Sequence, residues 1–420
     1  MENVLSKITR FFNNFYAKPE TEETRTTLVC AFFGIYTFLM FFTLIYTYWT
    51  KEYGLFFSPV TKIASAVLII GCLESILLRK PDSSYIVYFL LIALGLIVKR
   101  TSTLSFPLWF FVMLLMINHI DFRKIVKVFF LVTAVMTICT VILGYFNLIP
   151  TFSTFRGFTN NGQMSFRQAL GFNWVTLPSQ LFFYLFLCYI FIKKGKLNKI
   201  SLFLLFLISC FLYSQTNTRN PFLLELLLIA FFLLMQVGFK YKFLKFFKTN
   251  LFKYLSILSM PIASILTIIV SYIGPTSPFM VKFDSIMSGR IGLSHLGIEK
   301  YGLSFFGTVI KFKTFSPSHP LHGKYFYLDN SFIQYLLNFG IIFLLVIVIL
   351  LTAALWIEFK KKHWYVLLIF IFIALHSVGD PQLIYLQYSP FALIIVEVID
   401  RFNLKKFLQA TRERIGINED

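Results

Sequence analysis

The chain alternates long apolar runs with short polar breaks. A membrane-spanning helix needs about 20 mainly apolar residues. Twelve runs qualify as candidates: 26–48, 60–78, 84–98, 102–118, 126–148, 169–192, 199–213, 220–238, 252–273, 330–356, 364–378 and 383–400. Several are short, and a re-entrant hairpin is an alternative reading of the pair around Lys99-Arg100. Two longer polar stretches interrupt the pattern, Thr151 to Arg167 and about 274–328. Within the second, Ile291 to Phe306 has the spacing of an amphipathic helix lying over the membrane mouth. Near the N-terminus, Val4 to Phe12 reads either as an amphipathic helix on a membrane surface or as a solvated tail. Met1 to Arg25 lacks a cleavable signal pattern.

Composition fixes the class. With 57% hydrophobic residues, 54 Phe and only 14% charged residues, no soluble fold hides this chain from water. A net charge of +20 would suggest nucleic acid in a soluble protein. Here two thirds of the 39 Lys and Arg lie in the tails and in clusters between apolar runs: Arg79-Lys80, Arg123-Lys124-Lys127, Lys193 to Lys199, Lys240 to Lys253 and Lys360 to Lys362. That bias marks the cytoplasmic side, places both termini there and removes nucleic acid as a partner.

The expected fold is therefore an all-α polytopic membrane protein of about twelve transmembrane helices, with one large extracytoplasmic loop between helices 9 and 10. Its segments are a cytoplasmic N-terminus (1–25), helices 1–9 (26–273), the large loop (274–328), helices 10–12 (329–400) and a cytoplasmic tail (401–420). All 5 Cys fall within apolar runs without CxxC spacing and read as core thiols. No internal repeat suggests the inverted halves of a transporter.

Five arginines, Arg100, Arg156, Arg167, Arg219 and Arg290, fall on the face where the charge rule disfavours them. A guanidinium stays charged and grips phosphate bidentately, so the group points to an anionic ligand. For any one of them the alternative is snorkelling to lipid headgroups. Arg167, in Arg167-Gln168-Ala169-Leu170-Gly171-Phe172, and Arg219, closing Thr216-Asn217-Thr218-Arg219, are each expected at a helix entrance, where free N–H groups also favour an anion.

Asp329, in Leu328-Asp329-Asn330-Ser331, is the candidate general base where the long loop returns to the membrane; its alternative role is a helix N-cap. His319 and His322 flank Pro320 and read as loop residues, His322 being grouped with the substrate-binding candidates. The acids expected on this face are Glu52, Asp284, Glu299, Asp329 and Asp380, with no DxD or ExD, so neither a metal cage nor a cofactor is expected. Arginines would then meet the charge on a departing pyrophosphate. Glu225 is read either as a partner that orients Arg219 or as a helix-packing residue. A Walker lysine, GxGxxG, GxSxG and HExxH are all missing, which leaves ATP-driven transport, dinucleotide chemistry, serine hydrolysis and zinc proteolysis without support.

Taken together, these residues resemble the O-antigen and capsular polysaccharide polymerases of the Wzy type, relatives of the O-antigen ligases. Arg167 to Phe172 resembles that family's Arg-x-x-Leu-Gly-Phe, and Thr216 to Arg219 its Thr-x-Ser-Arg. Ser288-Gly289-Arg290 with Phe306-Gly307 resembles the Arg and Phe-Gly pair of its large loop. Leu328 to Ser331, through Asn338-Phe339-Gly340, resembles the exit from that loop. The likeness runs from about residue 165 to 345. Asn173-Trp174 departs from the Pro-Asn of many relatives, and Asp329 stands where ligases commonly place a His, which leans toward polymerase.

The resemblance implies a GT-C-like enzyme of a bacterial cytoplasmic membrane that performs an inverting, metal-independent glycosyl transfer at the outer face. A growing glycan leaves undecaprenyl pyrophosphate and joins the next lipid-linked repeat unit, with flippase and chain-length regulator proteins as implied partners. Arg167, Arg219 and Arg290 would clamp the donor pyrophosphate with help from Arg156. Asp329 would activate the acceptor hydroxyl, and Tyr325, Phe326 and Tyr327 would offer sugar-stacking surface. The competing classes are a ligase, a flippase for lipid-linked oligosaccharide, and a non-catalytic partner in a synthase complex.

Overall fold

The computed structural model describes residues 19–46, 57–78, 82–158, 164–236, 245, 249–314 and 324–402. Its first half holds α1 (Pro19–Phe41), α2 (Phe57–Leu77), α3 (Ser84–Ser102), α4 (Phe106–Met116) and α5 (Phe122–Tyr145). A hairpin of β1 (Ser153–Phe158) and β2 (Met164–Gln168) precedes α6 (Leu177–Ile192), α7 (Lys199–Thr216) and α8 (Arg219–Leu234). Then come α9 (Asn250–Ile257), α10 (Ser259–Ile273), α11 (Pro278–Ile286), α12 (Arg290–Tyr301), α13 (Ser331–Asn338), α14 (Ile341–Lys360), α15 (Trp364–Gly379) and α16 (Val396–Ile399).

This is a multi-pass helical membrane protein. Among the described residues six helices are long and apolar enough to cross a bilayer, or seven if α9 and α10, bent by 62°, form one span. In α2, α3 and α5 only 33% of the apolar window is buried, so these helices turn most of their greasy surface outward to lipid. By contrast α6 and α15 are short and buried on nearly every face, and such all-round apolar helices form the centre of the bundle.

The structure departs from the expected pattern at identifiable places. The chain is not wholly α-helical, because the Phe- and Ser-containing segments 153–158 and 164–168 pair as antiparallel strands. The 102–118 run yields only the 11-residue α4, which packs so tightly on α3 that a Cβ at Gly95 would lie 2.8 Å from the Leu108 Cα. The 330–356 run is not one helix. It breaks between α13 and α14 at Gly340, whose φ of 92° is left-handed territory that glycine tolerates. The 383–400 run forms turns, a short 3-10 segment (Phe391–Ile395) and the four-residue α16. The amphipathic stretch of the large loop is realised as α12, ended at Gly302.

At that break the two Phe-Gly motifs meet. A Cβ on Gly307 would lie 2.0 Å from the Asn338 carbonyl oxygen, and one on Gly340 would lie 2.4 Å from Gly307 N. Ile341 N donates to Ser304 O (3.0 Å) and Thr308 N to Leu337 O (3.1 Å), so the loop is stitched to the α13–α14 junction mainly through backbone, with Thr308 Oγ1 also donating to Leu337 O (3.4 Å). The opposite end of the bundle is pinned by a fully buried Arg25, which donates to Ser75 Oγ (2.7 Å) and Asn118 O (2.6 Å). There too Asp400 accepts from Tyr88 OH and His119 N, both at 2.6 Å.

Candidate functional site

The β-hairpin aims two arginines at one helix end. Thr154 pairs with Arg167 and Phe155 with Phe166, and the register then slips at Arg156, a bulge that re-aims its side chain. Arg167 donates from Nε to Thr216 O (3.0 Å) and from Nη2 to Asn217 O (3.1 Å), and Arg156 Nη1 donates to the same Asn217 carbonyl. Asn217 ends α7 in the left-handed conformation, so both cations sit at the negative end of a helix dipole. Arg167 is thus not at a helix entrance. Residues 169–173 instead form a turn fastened to the end of α1, with Tyr46 N donating to Gly171 O and Asn173 N to Leu44 O, both at 2.8 Å.

Arg219 is the first residue of α8, as its sequence context leads one to expect. Arg290 is the first residue of α12, behind Gly289 at φ 78°. The amides that open α12 are already served, since Asp284 Oδ1 accepts from Ile291 N (2.8 Å) and Gly292 N (3.1 Å). What Arg290 offers a ligand is therefore its guanidinium.

These four arginines line one cavity of about 800 Å³ together with Asp329, Asp380, Tyr325 and Tyr327. Arg290 lies between the two acids, with Nε 3.6 Å from Asp329 Oδ2 and Nη2 4.0 Å from Asp380 Oδ1. Both distances exceed hydrogen-bond length, so the carboxylates attract the guanidinium without a close hydrogen bond, and its Nε is buried and unpartnered. Four cations face two anions. Burial pushes the Arg167 guanidinium down to about 10, and repulsion from Arg156, Arg290 and Arg219 adds to that effect. Arg156 shifts the same way through burial and then Arg219. A site that strains its own cations in this manner gains by admitting an anion.

The acids divide by environment. Asp380, with 6% of its side chain exposed, accepts from Gln180 Nε2 and from Asn220 Nδ2 (2.6 Å). Gln382 Nε2 in turn donates to Gln180 Oε1 at 2.7 Å. Asp329 is 28% exposed, and burial raises its carboxyl to about 6 despite the neighbouring Arg290. It does not cap α13. Asn330 does so, accepting at Oδ1 from Phe332 N (2.9 Å) and Ile333 N (3.1 Å) while its Nδ2 donates to Val378 O (2.7 Å).

A second, almost wholly apolar cavity of about 510 Å³ opens between α10, α12 and α15, lined by residues such as Leu266, Val270, Ala374 and Val378. Arg290 borders both cavities. The charged chamber and the greasy groove thus meet at one guanidinium.

Arg156, Arg167, Arg219, Arg290, Asp329, Tyr325 and Tyr327 are brought together as the sequence suggests, and Trp174 joins them. Arg100 is not: it is exposed in the last turn of α3 and lines neither cavity. Phe326 is not a sugar platform, because it is buried in the loop's own core against Tyr301 and Phe312, with ring centroids at 6.0 and 6.3 Å. Glu225 is buried in α8 facing Ser209 and makes no ion pair with Arg219. His319 and His322 lie outside the described residues. Sequence reasoning missed Gln180 and Asn220 as partners of Asp380, and Gln382 as the residue that holds Gln180. The available signal was an amide, Gln180, inside an otherwise apolar run.

Among the described residues no group of three or more His, Cys, Asp and Glu is arranged to hold a metal ion. No protein-family model matches the chain, and neither a curated protein nor a solved structure matches it.

Proposed function

We propose that this protein is a polysaccharide polymerase of the Wzy type, which moves a growing glycan from a polyprenyl pyrophosphate to the next lipid-linked repeat unit. The observation that carries the reading is the convergence of Arg156, Arg167, Arg219 and Arg290 with Asp329 on one cavity that adjoins an apolar groove at Arg290. A lipid pyrophosphate has that shape: a multiply charged head joined to a long apolar tail. Guanidinium forks match its oxygens, and the groove matches the tail.

In this mechanism the acceptor hydroxyl oxygen attacks the anomeric carbon of the donor sugar while the bond from that carbon to the phosphate oxygen breaks. Attack opposite the leaving group inverts the anomeric centre. The electron pair leaves with the lipid pyrophosphate, whose growing charge the arginines meet, and the hydroxyl proton passes to Asp329. Asp329 suits the base role, since its carboxyl is reachable and holds a proton more readily than an ordinary aspartate. Asp380 is nearly fully buried and already accepts from Gln180 and Asn220, and we assign it to positioning Arg290. Holding two membrane-anchored substrates in line supplies the proximity part of the acceleration. The site faces the outer side of a bacterial cytoplasmic membrane in this reading, with both termini inside, as the lysine distribution favours.

The test is incubation of the purified protein in proteoliposomes with a defined lipid-linked repeat unit, followed by gel separation of products. A ladder of lengths supports the polymerase. Single transfer to an unrelated acceptor points to a ligase. Movement of the repeat unit between leaflets without transfer points to a flippase.

A further inference from the structure

Helix α11 carries an apolar stripe of which only Phe283 lines a cavity, while Phe279 and Ile286 lie outside both. Phe279, Phe283 and Ile286 recur at i, i+4 and i+7 and so share one face. Phe279 is 75% exposed and Ile286 68%, and no residue of the helix is buried. The Phe279 and Phe283 rings stack at 6.3 Å, and Lys282 borders the stripe. Asp284 lies away from the stripe and is turned to the first amides of α12.

The surroundings say what covers this stripe. It begins within a few residues of α10, whose Ile265, Ile269 and 70%-exposed Tyr272 present the bundle's lipid-facing surface. Gly274, at φ 66°, ends α10, and Phe283 and Met287 then line the same groove as Leu266 and Val270. The chain therefore folds back, and α11 borders the groove instead of prolonging α10. An apolar band continuous with a membrane span, edged by a lysine on a long stem, fits the boundary between acyl chains and lipid phosphates.

We propose that α11 is an interfacial membrane anchor, with Phe279 and Ile286 seated in the lipid leaflet, Phe283 at the rim of the groove and Lys282 at lipid phosphates, which holds the Arg290 segment at headgroup depth. The link to Arg290 is short. Asp284 caps α12 at Ile291 and Gly292, so the anchor and the arginine share one hydrogen-bonded corner. The anchor stands whether or not Arg290 serves glycosyl transfer.

Depth-resolved quenching tests it. Phe279→Trp protein is placed in phosphatidylethanolamine–phosphatidylglycerol vesicles whose lipids carry bromine either near the headgroup or deep in the chains. The emission added over wild type should fall by about half with shallow bromine and less with deep bromine. No quenching by either lipid, or stronger quenching by the deep one, overturns the anchor. In nanodiscs, Phe279→Ser/Ile286→Ser should speed amide exchange over residues 289–293 by about tenfold and leave α14 unchanged. Unaltered exchange at 289–293 overturns the coupling to Arg290. If α14 exchange also changes, the variant is misfolded and the tryptophan measurement decides.

Discussion

Arg290 Nε stands 3.6 Å from Asp329 Oδ2, close enough to attract the carboxylate and too far to hydrogen-bond it. The cation is held near the acid without being used up by it. In the proposed reaction the remaining guanidinium nitrogens would meet the donor phosphate while Asp329 takes the proton.

That relationship makes Arg290→Lys a severe change. Lysine keeps the charge but loses the planar fork, so product formation should drop by on the order of 100-fold or more. The measurement is ladder intensity in the proteoliposome assay. Near-wild-type ladders would reduce Arg290 to a general charge.

The raised Asp329 carboxyl predicts a pH profile. A base works only when deprotonated, so transfer should climb with pH through about 6 and level off above it. Asp329→Asn should lower transfer by roughly 100-fold and remove that limb of the profile. A variant that keeps both the rate and the limb excludes Asp329 as the base.

The same carboxyl bears on stability in a defined direction. Its folded value, about 6, lies above the ordinary 3.8, so its contribution is fully present below 3.8 and is lost as pH rises through 6. Asp329→Asn should therefore raise the thermal midpoint more at pH 8 than at pH 4. Equal shifts at the two pH values would show that burial does not penalise the charged form.

Capping and chemistry separate at neighbouring residues. Asn330→Ala removes the acceptor for two helix amides and a donor to Val378 O, and should cost about 1–3 kcal/mol. Thermal unfolding in detergent checks this, with Asp329→Ala as the comparison that leaves the cap intact.

The Gly307–Gly340 contact predicts intolerance of even one methyl group. Gly307→Ala places a Cβ into the Asn338 carbonyl at a left-handed φ of 86°, so the variant should accumulate poorly or unfold well below wild type. Expression and the thermal midpoint read the outcome.

The helical membrane character was legible because a bilayer forces long apolar segments, and α1, α2, α3, α5 and α7 each overlap one predicted run. Hydropathy failed where burial came from protein instead of lipid. The enclosed α6 and α15 are too short to span by length alone, and the 330–356 run hid a break that only a left-handed glycine betrays. The arginine cavity was legible because the charge rule disfavours cations in the segments where Arg156, Arg167, Arg219 and Arg290 lie, and four of them together fit an anion better than each separately fits snorkelling to lipid. Arg100 shared the signal but not the location. Asp380's amide partners were not legible, since Gln180 and Asn220 lie 200 and 160 residues away from it and meet it only in the packed bundle.

Because the helix-starting duty rests on Asn330, position 329 is released from capping. Its side chain can be exchanged for another acid, an imidazole or an amide without the adjoining helix losing its start. If Asp329 is the proton acceptor, a single substitution at that position can therefore shift the acidity range of the reaction without loosening the fold.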